Sequence, residues 1–128
     1  MKYIPLNIKT EYDLMNSLIK IDELISYAKE NDIKALGITD ADMFGCYEFI
    51  NKCKSNNLKP IVGIEFNNLL IYALNYDGYV SLCKLVTMKH TSELTIDEIS
   101  KYSSDLIIVC NYKDYESLKD KFTYIYWI

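Results

Sequence analysis

Apolar residues recur along this chain with two alternating periods. A short apolar run over residues 3–8 is followed by Ile21, Leu24, Ile25 and Ala28, at the i, i+3, i+4, i+7 spacing of an amphipathic helix. Asn31-Asp32 closes that helix, and residues 35–39 read as a buried strand. Cys46, Phe49, Ile50 and Cys53 repeat the helical spacing, with Asp42 as the expected N-cap and Asn56-Asn57 as the stop. Pro60 introduces a strand over residues 61–66. Asn67-Asn68, which tolerates positive φ, then predicts a hairpin into residues 69–74. A third helix is expected to bury Tyr79, Leu82, Cys83 and Val86. Thr95-Ile96-Asp97-Glu98 is a capping box that opens a short fourth helix, flanked by the apolar staple Leu94 and Ile99. Strand 106–110, a helix over 112–121 and a β-branched, aromatic run over 122–128 complete the order β-α-β-α-β-β-α-α-β-α-β. Strands alternating with helices predict an α/β fold with mostly parallel strands and outer helices.

Composition narrows the classes. With 128 residues, half of them hydrophobic and a quarter charged, the chain can bury a real core and is no disordered or low-complexity segment. It is far short of the about 250 residues of a complete eight-stranded α/β barrel. A net charge of -4 argues against a surface that grips nucleic acid. Every basic residue is Lys, so bidentate guanidinium contacts are missing as well. Cys46, Cys53, Cys83 and Cys110 show no metal-ribbon spacing. Pro5, Asn7 and Lys9 break any secretory h-region, and the longest apolar runs are strand-length. A cytoplasmic location with free thiols and no membrane contact is expected. The sequence stops within an apolar run, Tyr124-Ile125-Tyr126-Trp127-Ile128, so a portion of a longer protein is expected.

Three blocks carry a family resemblance. They are Thr10-Glu11-Tyr12-Asp13 running on into residues 18–24, Gly37-Ile38-Thr39-Asp40 with Met43-Phe44-Gly45 and Glu48-Phe49, and residues 58–65 ending in Glu65. Asp77-Gly78-Tyr79 with Leu82, Lys84 and Leu85, and Leu94-Thr95 with Glu98-Ile99, continue the match downstream. Taken in this order they resemble the N-terminal PHP (polymerase and histidinol phosphatase) domain of the bacterial DNA polymerase III α subunit. The resemblance implies that residues 1–128 are the N-terminal portion of a PHP domain, part of a distorted (β/α)7 barrel. Active members of such barrels hold divalent or zinc-like ions on His-x-His, Asp-His and Glu at the C-terminal strand ends. The ions lower the pKa of a bound water and clamp a phosphoryl group.

This sequence departs from that ligand pattern. The His-x-His positions carry Asn7 and Lys9, an upstream His position carries Pro5, and the Asp-His pair is Asp40-Ala41. Asp40 and Glu65 are the remnant ligand positions. Two carboxylates without imidazoles hold a hard ion weakly at best. Lys9 is expected to replace the metal's positive charge and to pair with Asp40, Glu65 or both. Bland roles compete for each residue: a loop carboxylate for Asp40, a salt bridge for Glu65, and a helix-dipole contact for the single His90. For Cys46, Cys53 and Cys83 the competing role is core packing, and for Tyr112, Tyr115, Tyr124, Tyr126 and Trp127 it is core or interface packing rather than base stacking.

The resemblance therefore implies a non-catalytic, scaffolding part of a replicative DNA polymerase, a DNA-directed nucleotidyltransferase. Polymerisation, with its Mg²⁺, would lie in other domains, and this portion would need no cofactor of its own. The implied partners are the remaining polymerase domains and, in some lineages, a proofreading exonuclease subunit, with DNA contacted only indirectly. The alternative is a metal-dependent phosphoesterase, proofreading or removing pyrophosphate. A free-standing descendant of such a domain is a third reading.

Overall fold

The computed structural model describes residues 3–128. The elements in chain order are α1 (Ile21–Glu30), β1 (Ala35–Ile38), α2 (Cys46–Ser55), β2 (Lys59–Phe66), β3 (Leu69–Ala73), α3 (Tyr76–Thr91), α4 (Ile96–Lys101), β4 (Leu106–Cys110), α5 (Tyr112–Leu118) and β5 (Ile125–Trp127). Chain contacts divide them into two compact units, residues 1–62 and 63–128. The pairing is mixed. β1 and β2 are parallel over residues 59–62, and β4 and β5 are parallel, whereas β3 runs antiparallel to both β2 and β4. The α/β class expected from the alternating periods is present.

In the first unit the buried residues of α1 are the predicted stripe, Ile21, Leu24, Ile25 and Ala28. α2 buries Cys46, Phe49 and Cys53. Both helices end alike. Asp32 and Asn57 take φ of 53° and 56°, and the N–H of the next residue, Ile33 or Leu58, returns to the carbonyl of Ala28 or Cys53 at 2.9 Å. This is the Schellman closure, with a buried Ile or Leu as its hydrophobic contact. It turns each helix directly into a strand, and β1 is buried at all four positions.

Two expectations in this unit are corrected. The first apolar run forms no regular strand. Residues 5–8 instead lie alongside β1 through Gly37 N–H to Pro5 O at 2.8 Å, Ile8 N–H to Gly37 O at 3.1 Å and Thr39 N–H to Ile8 O at 3.0 Å. Pro5 has no N–H to offer, which limits the ladder to this short stretch. The residue at the N-cap of α2 is Gly45, not Asp42, and it gives no side-chain cap. Gly45 sits against the Tyr12 ring, where a Cβ would come within 2.5 Å of ring carbon Cδ2. Space rather than capping chemistry selects that position.

In the second unit Asn67 and Asn68 both have positive φ, 47° and 63°, and join β2 to β3 as the predicted two-residue hairpin. Thr95 caps α4 by accepting from Glu98 N–H at 3.2 Å, and Leu94 and Ile99 are buried beside it. The face of α3 is corrected: Gly78, Leu82 and Leu85 are buried, and Cys83 is exposed. The helix turns its small residue inward because a Cβ at Gly78 would meet the Asp105 carbonyl at 2.2 Å. α5 ends at Leu118 and β5 is confined to Ile125–Trp127, both shorter than the apolar pattern implies. His90 lies in the last turn of α3. Among the described residues no helix is long and apolar enough to cross a membrane.

Candidate functional site

β1 delivers Thr39, Asp40 and Ala41 just past its C-terminal end, and residues 5–10 run beside it. Thr39 and Asp40 are buried, as are Thr10 and Asp13 from the loop that follows. Buried polar groups at such a place are costly unless hydrogen-bonded, and here each is bonded. The Thr10 N–H donates to Asp40 Oδ1 at 2.7 Å, and the Thr10 hydroxyl donates to Asp40 Oδ2 at 2.5 Å. Both Asp40 oxygens therefore accept from one residue. Asp13 accepts from the Ala41 N–H at 3.2 Å and from the Asn16 amide at 2.8 Å.

Lys9 lies on the other side of the same strand end. Its ammonium donates to the Thr39 carbonyl, to the Thr39 hydroxyl at 2.8 Å and to Asn7 Oδ1 at 3.3 Å. The Thr39 hydroxyl in turn donates to Asn7 Oδ1. Burial pushes the Asp40 carboxyl above its ordinary pKa. The two Thr10 hydrogen bonds and the positive charge of Lys9 pull the other way, while the neighbouring Asp13 adds to the rise.

A second polar network braces the loop from outside. The Tyr12 hydroxyl donates to Glu48 Oε2 at 2.5 Å, and Lys52 bridges Glu48 at 2.6 Å and Asp22 at 2.7 Å. The Lys52 and Tyr12 hydrogen bonds hold the Glu48 carboxyl below its usual range. These contacts link the loop to α1 and α2, the elements that frame the strand end.

Asn7, Lys9, Asp40 and Ala41 thus converge in the first unit. Glu65 stands on β2 in the second unit, exposed and in register with Leu70. Thr10 and Asp13 complete the site although sequence reasoning assigned them no role. Their only signal was membership of the first resemblance block. Among the described residues no three His, Cys, Asp or Glu side chains are grouped so that they could hold a metal ion. Of the groups at the strand end, Asn7 offers an amide, Ala41 offers no side-chain donor and Lys9 is a cation.

A protein-family profile described as PHP domain matches residues 5–123. The chain is 43% identical over 113 residues to the DNA polymerase III subunit alpha of Ureaplasma parvum serovar 3, which covers 84% of the chain and 12% of that protein. It is 33% identical over 127 residues to the protein of the same description from Halalkalibacterium halodurans, covering 88% of the chain and 11% of the relative. With that of Staphylococcus aureus strain N315 it shares 34% over 116 residues, 81% of the chain and 11% of the relative. The chain therefore spans only 11–12% of the length of these curated relatives.

Proposed function

The chain belongs to the PHP domain family, and from that premise we propose that it is the N-terminal portion of the PHP domain of a replicative DNA polymerase III α subunit, serving as a scaffold rather than as a catalyst. The similarity to DNA polymerase III α subunits along most of the chain supports the replication context. In this reading the strands described above are part of a (β/α)7 barrel, and the remaining polymerase domains are its partners. A proofreading exonuclease subunit is a further partner, and DNA is met only through them. The Mg²⁺ chemistry of polymerisation belongs to those other domains, and the setting is the cytoplasm.

One observation carries the non-catalytic assignment: the donor set at the end of β1. The family's active members hold their water-activating ions on imidazoles together with free carboxylate oxygens. Asn7, Lys9 and Ala41 occupy three of the family's ligand positions, and both oxygens of Asp40 accept from Thr10. These residues do not fit a metal cluster. Lys9 supplies a positive charge where active members hold ions, and that charge favours the ionised form of the buried Asp40.

The test is metal analysis of the purified protein together with phosphate release from phosphomonoesters, pyrophosphate and a single-stranded oligonucleotide. The expected result is no stoichiometric zinc or manganese and no activity above background. Stoichiometric metal with a phosphatase activity that Glu65→Ala abolishes would establish the phosphoesterase instead. The polymerase assignment predicts an open reading frame that continues for many hundreds of residues, and a gene ending near residue 128 would overturn it.

A further inference from the structure

The loop over residues 13–19 carries large apolar side chains into solvent. Leu14, Met15 and Leu18 are strongly exposed, and so are Phe44 and Tyr47 around the start of α2. The two groups meet at one contact. Phe44 precedes the Gly45 that takes the Tyr12 ring, and Tyr47 precedes the Glu48 that accepts from the Tyr12 hydroxyl at 2.5 Å. Asp13, at the base of the loop, accepts from the Ala41 N–H at 3.2 Å. Loop tips are normally small and polar. Met15 and Leu18, almost wholly in water, add nothing to the core.

The loop is nevertheless firmly built. Its ends are joined by Glu11 N–H to Ile19 O at 2.8 Å, and it is turned by Asp13 N–H to Thr10 O at 2.9 Å and Asn16 N–H to Asp13 O at 3.1 Å. The Asn16 amide adds a bond to Asp13 Oδ1 at 2.8 Å. Met15 holds a φ of 70°, a left-handed conformation that costs a long apolar residue more than it would cost Gly or Asn. A fixed loop that displays apolar side chains is preorganised for contact, because little ordering entropy is left to lose on binding.

Charge decides what contacts it. The exposed or half-buried ionic groups around this face are Glu11, Asp22, Asp42 and Glu48 against Lys20 and Lys52. Lys52 is already held by Asp22 and Glu48. The excess is acidic, and a second copy of this chain, a nucleic acid or an anionic membrane would bring like charge to it. The carboxylates come from both flanks, Glu11 and Asp22 with the loop and α1, Asp42 and Glu48 with α2. An apolar stripe between two rows of Lys or Arg matches that arrangement.

We propose that Leu14, Met15, Leu18, Phe44 and Tyr47 form a docking face for a basic amphipathic helix of a partner protein. The helix covers these side chains with its apolar stripe, and its Lys or Arg flanks meet the carboxylates. The inference deepens the scaffold reading, on which it rests, by naming the face and the kind of partner.

The probe is a synthetic amphipathic helix with a Leu stripe flanked by Lys, titrated into the nitrogen-15-labelled protein. Saturable NMR shifts confined to residues 11–20 and 42–48 are expected, with affinity falling as salt is raised. The same helix flanked by Glu should bind at least about tenfold more weakly. Met15→Asn combined with Leu18→Ser should weaken the Lys-flanked helix by about tenfold or more without lowering the Tm, since Asn keeps the left-handed turn. Trp127→Ser, which alters an exposed aromatic of the other unit, should leave the affinity unchanged. The comparison of the two helices on the wild type needs no variant. Equal affinity for the two helices, shifts spread over other surfaces, or no binding would overturn the docking face and leave the scaffold reading standing. Self-association abolished by the double variant would assign the face to a second copy and overturn the helix. Stoichiometric metal with phosphate release would defeat the scaffold reading itself.

Discussion

Thr10→Val isolates the contribution of one hydroxyl to the buried carboxylate at the strand end. Val matches Thr in shape, so the substitution leaves no cavity at this fully buried position. What disappears is the 2.5 Å bond from the Thr10 hydroxyl to Asp40 Oδ2, together with the longer 3.3 Å bond that the hydroxyl accepts from the Tyr12 N–H, while the 2.7 Å bond from the Thr10 N–H to Oδ1 remains. A hydrogen bond to a charged group contributes about 1.5–3 kcal/mol, and the orphaned oxygen is buried, so a loss in that range is expected at neutral pH. The pH dependence gives the sharper test. Burial already raises the Asp40 pKa above 3.8 in the folded state, and the Thr10 hydroxyl opposes the rise. Without that hydroxyl the folded pKa climbs further, so the variant's deficit is complete above the folded pKa and shrinks as pH falls through it. Urea unfolding at pH 7 and at several acidic pH values, with m unchanged, reads the difference directly. Thr10→Ser keeps the hydroxyl and should keep the wild-type pH profile. A Thr10→Val loss below about 0.5 kcal/mol, or one that is constant with pH, would refute the assignment of Asp40 as a buried, hydroxyl-stabilised carboxylate.

Two further outcomes follow from packing. Gly37→Ala should destabilise the protein by about 1–3 kcal/mol, because its Cβ would lie 2.9 Å from the Leu6 Cα and carbonyl oxygen and would lift residues 5–8 off β1. The entropic gain of about 0.4–1 kcal/mol from replacing a glycine does not offset that clash, and a stabilised variant in urea titration would contradict it. Of the four cysteines only Cys83 is exposed, and burial raises the Cys53 thiol pKa to about 12. Ellman titration of the native protein near pH 8 should therefore show one fast thiol, lost in Cys83→Ser, with the other three appearing only in denaturant.

Much of the fold was legible because local chemistry and burial agree. The α1 stripe, the Asn-Asn hairpin and the Thr95 cap each follow from side chains acting on their own neighbourhood. Reading failed where distant atoms decide. Cys83 continues an apolar period, yet α3 is rotated so that Gly78 meets Asp105, twenty-seven positions away in sequence (105 − 78). Asp42 has the chemistry of an N-cap, but the Tyr12 ring selects Gly45 for the position. At the candidate site, Asn7, Lys9 and Ala41 were visible as departures from the ligand pattern that the resemblance implies. The role of Thr10 was not, because a threonine reveals a carboxylate partner thirty residues on only after the chain has folded.

The left-handed positions of the described chain are held by Asp32, Asn57, Asn67, Asn68 and Met15, and no glycine has a positive φ. Conformation and volume have been assigned to different residue types. This inverts the usual expectation for tolerance to mutation. Glycine commonly marks a surface turn that accepts exchange and insertion, but at Gly37 and Gly78 it marks a packed contact with no room for a methyl group. The permissive sites are the asparagines, where glycine can enter because the backbone already sits where glycine is at ease. A library that randomised the glycines would yield mostly unfolded protein, whereas one exchanging Asn57, Asn67 or Asn68 for glycine would largely survive.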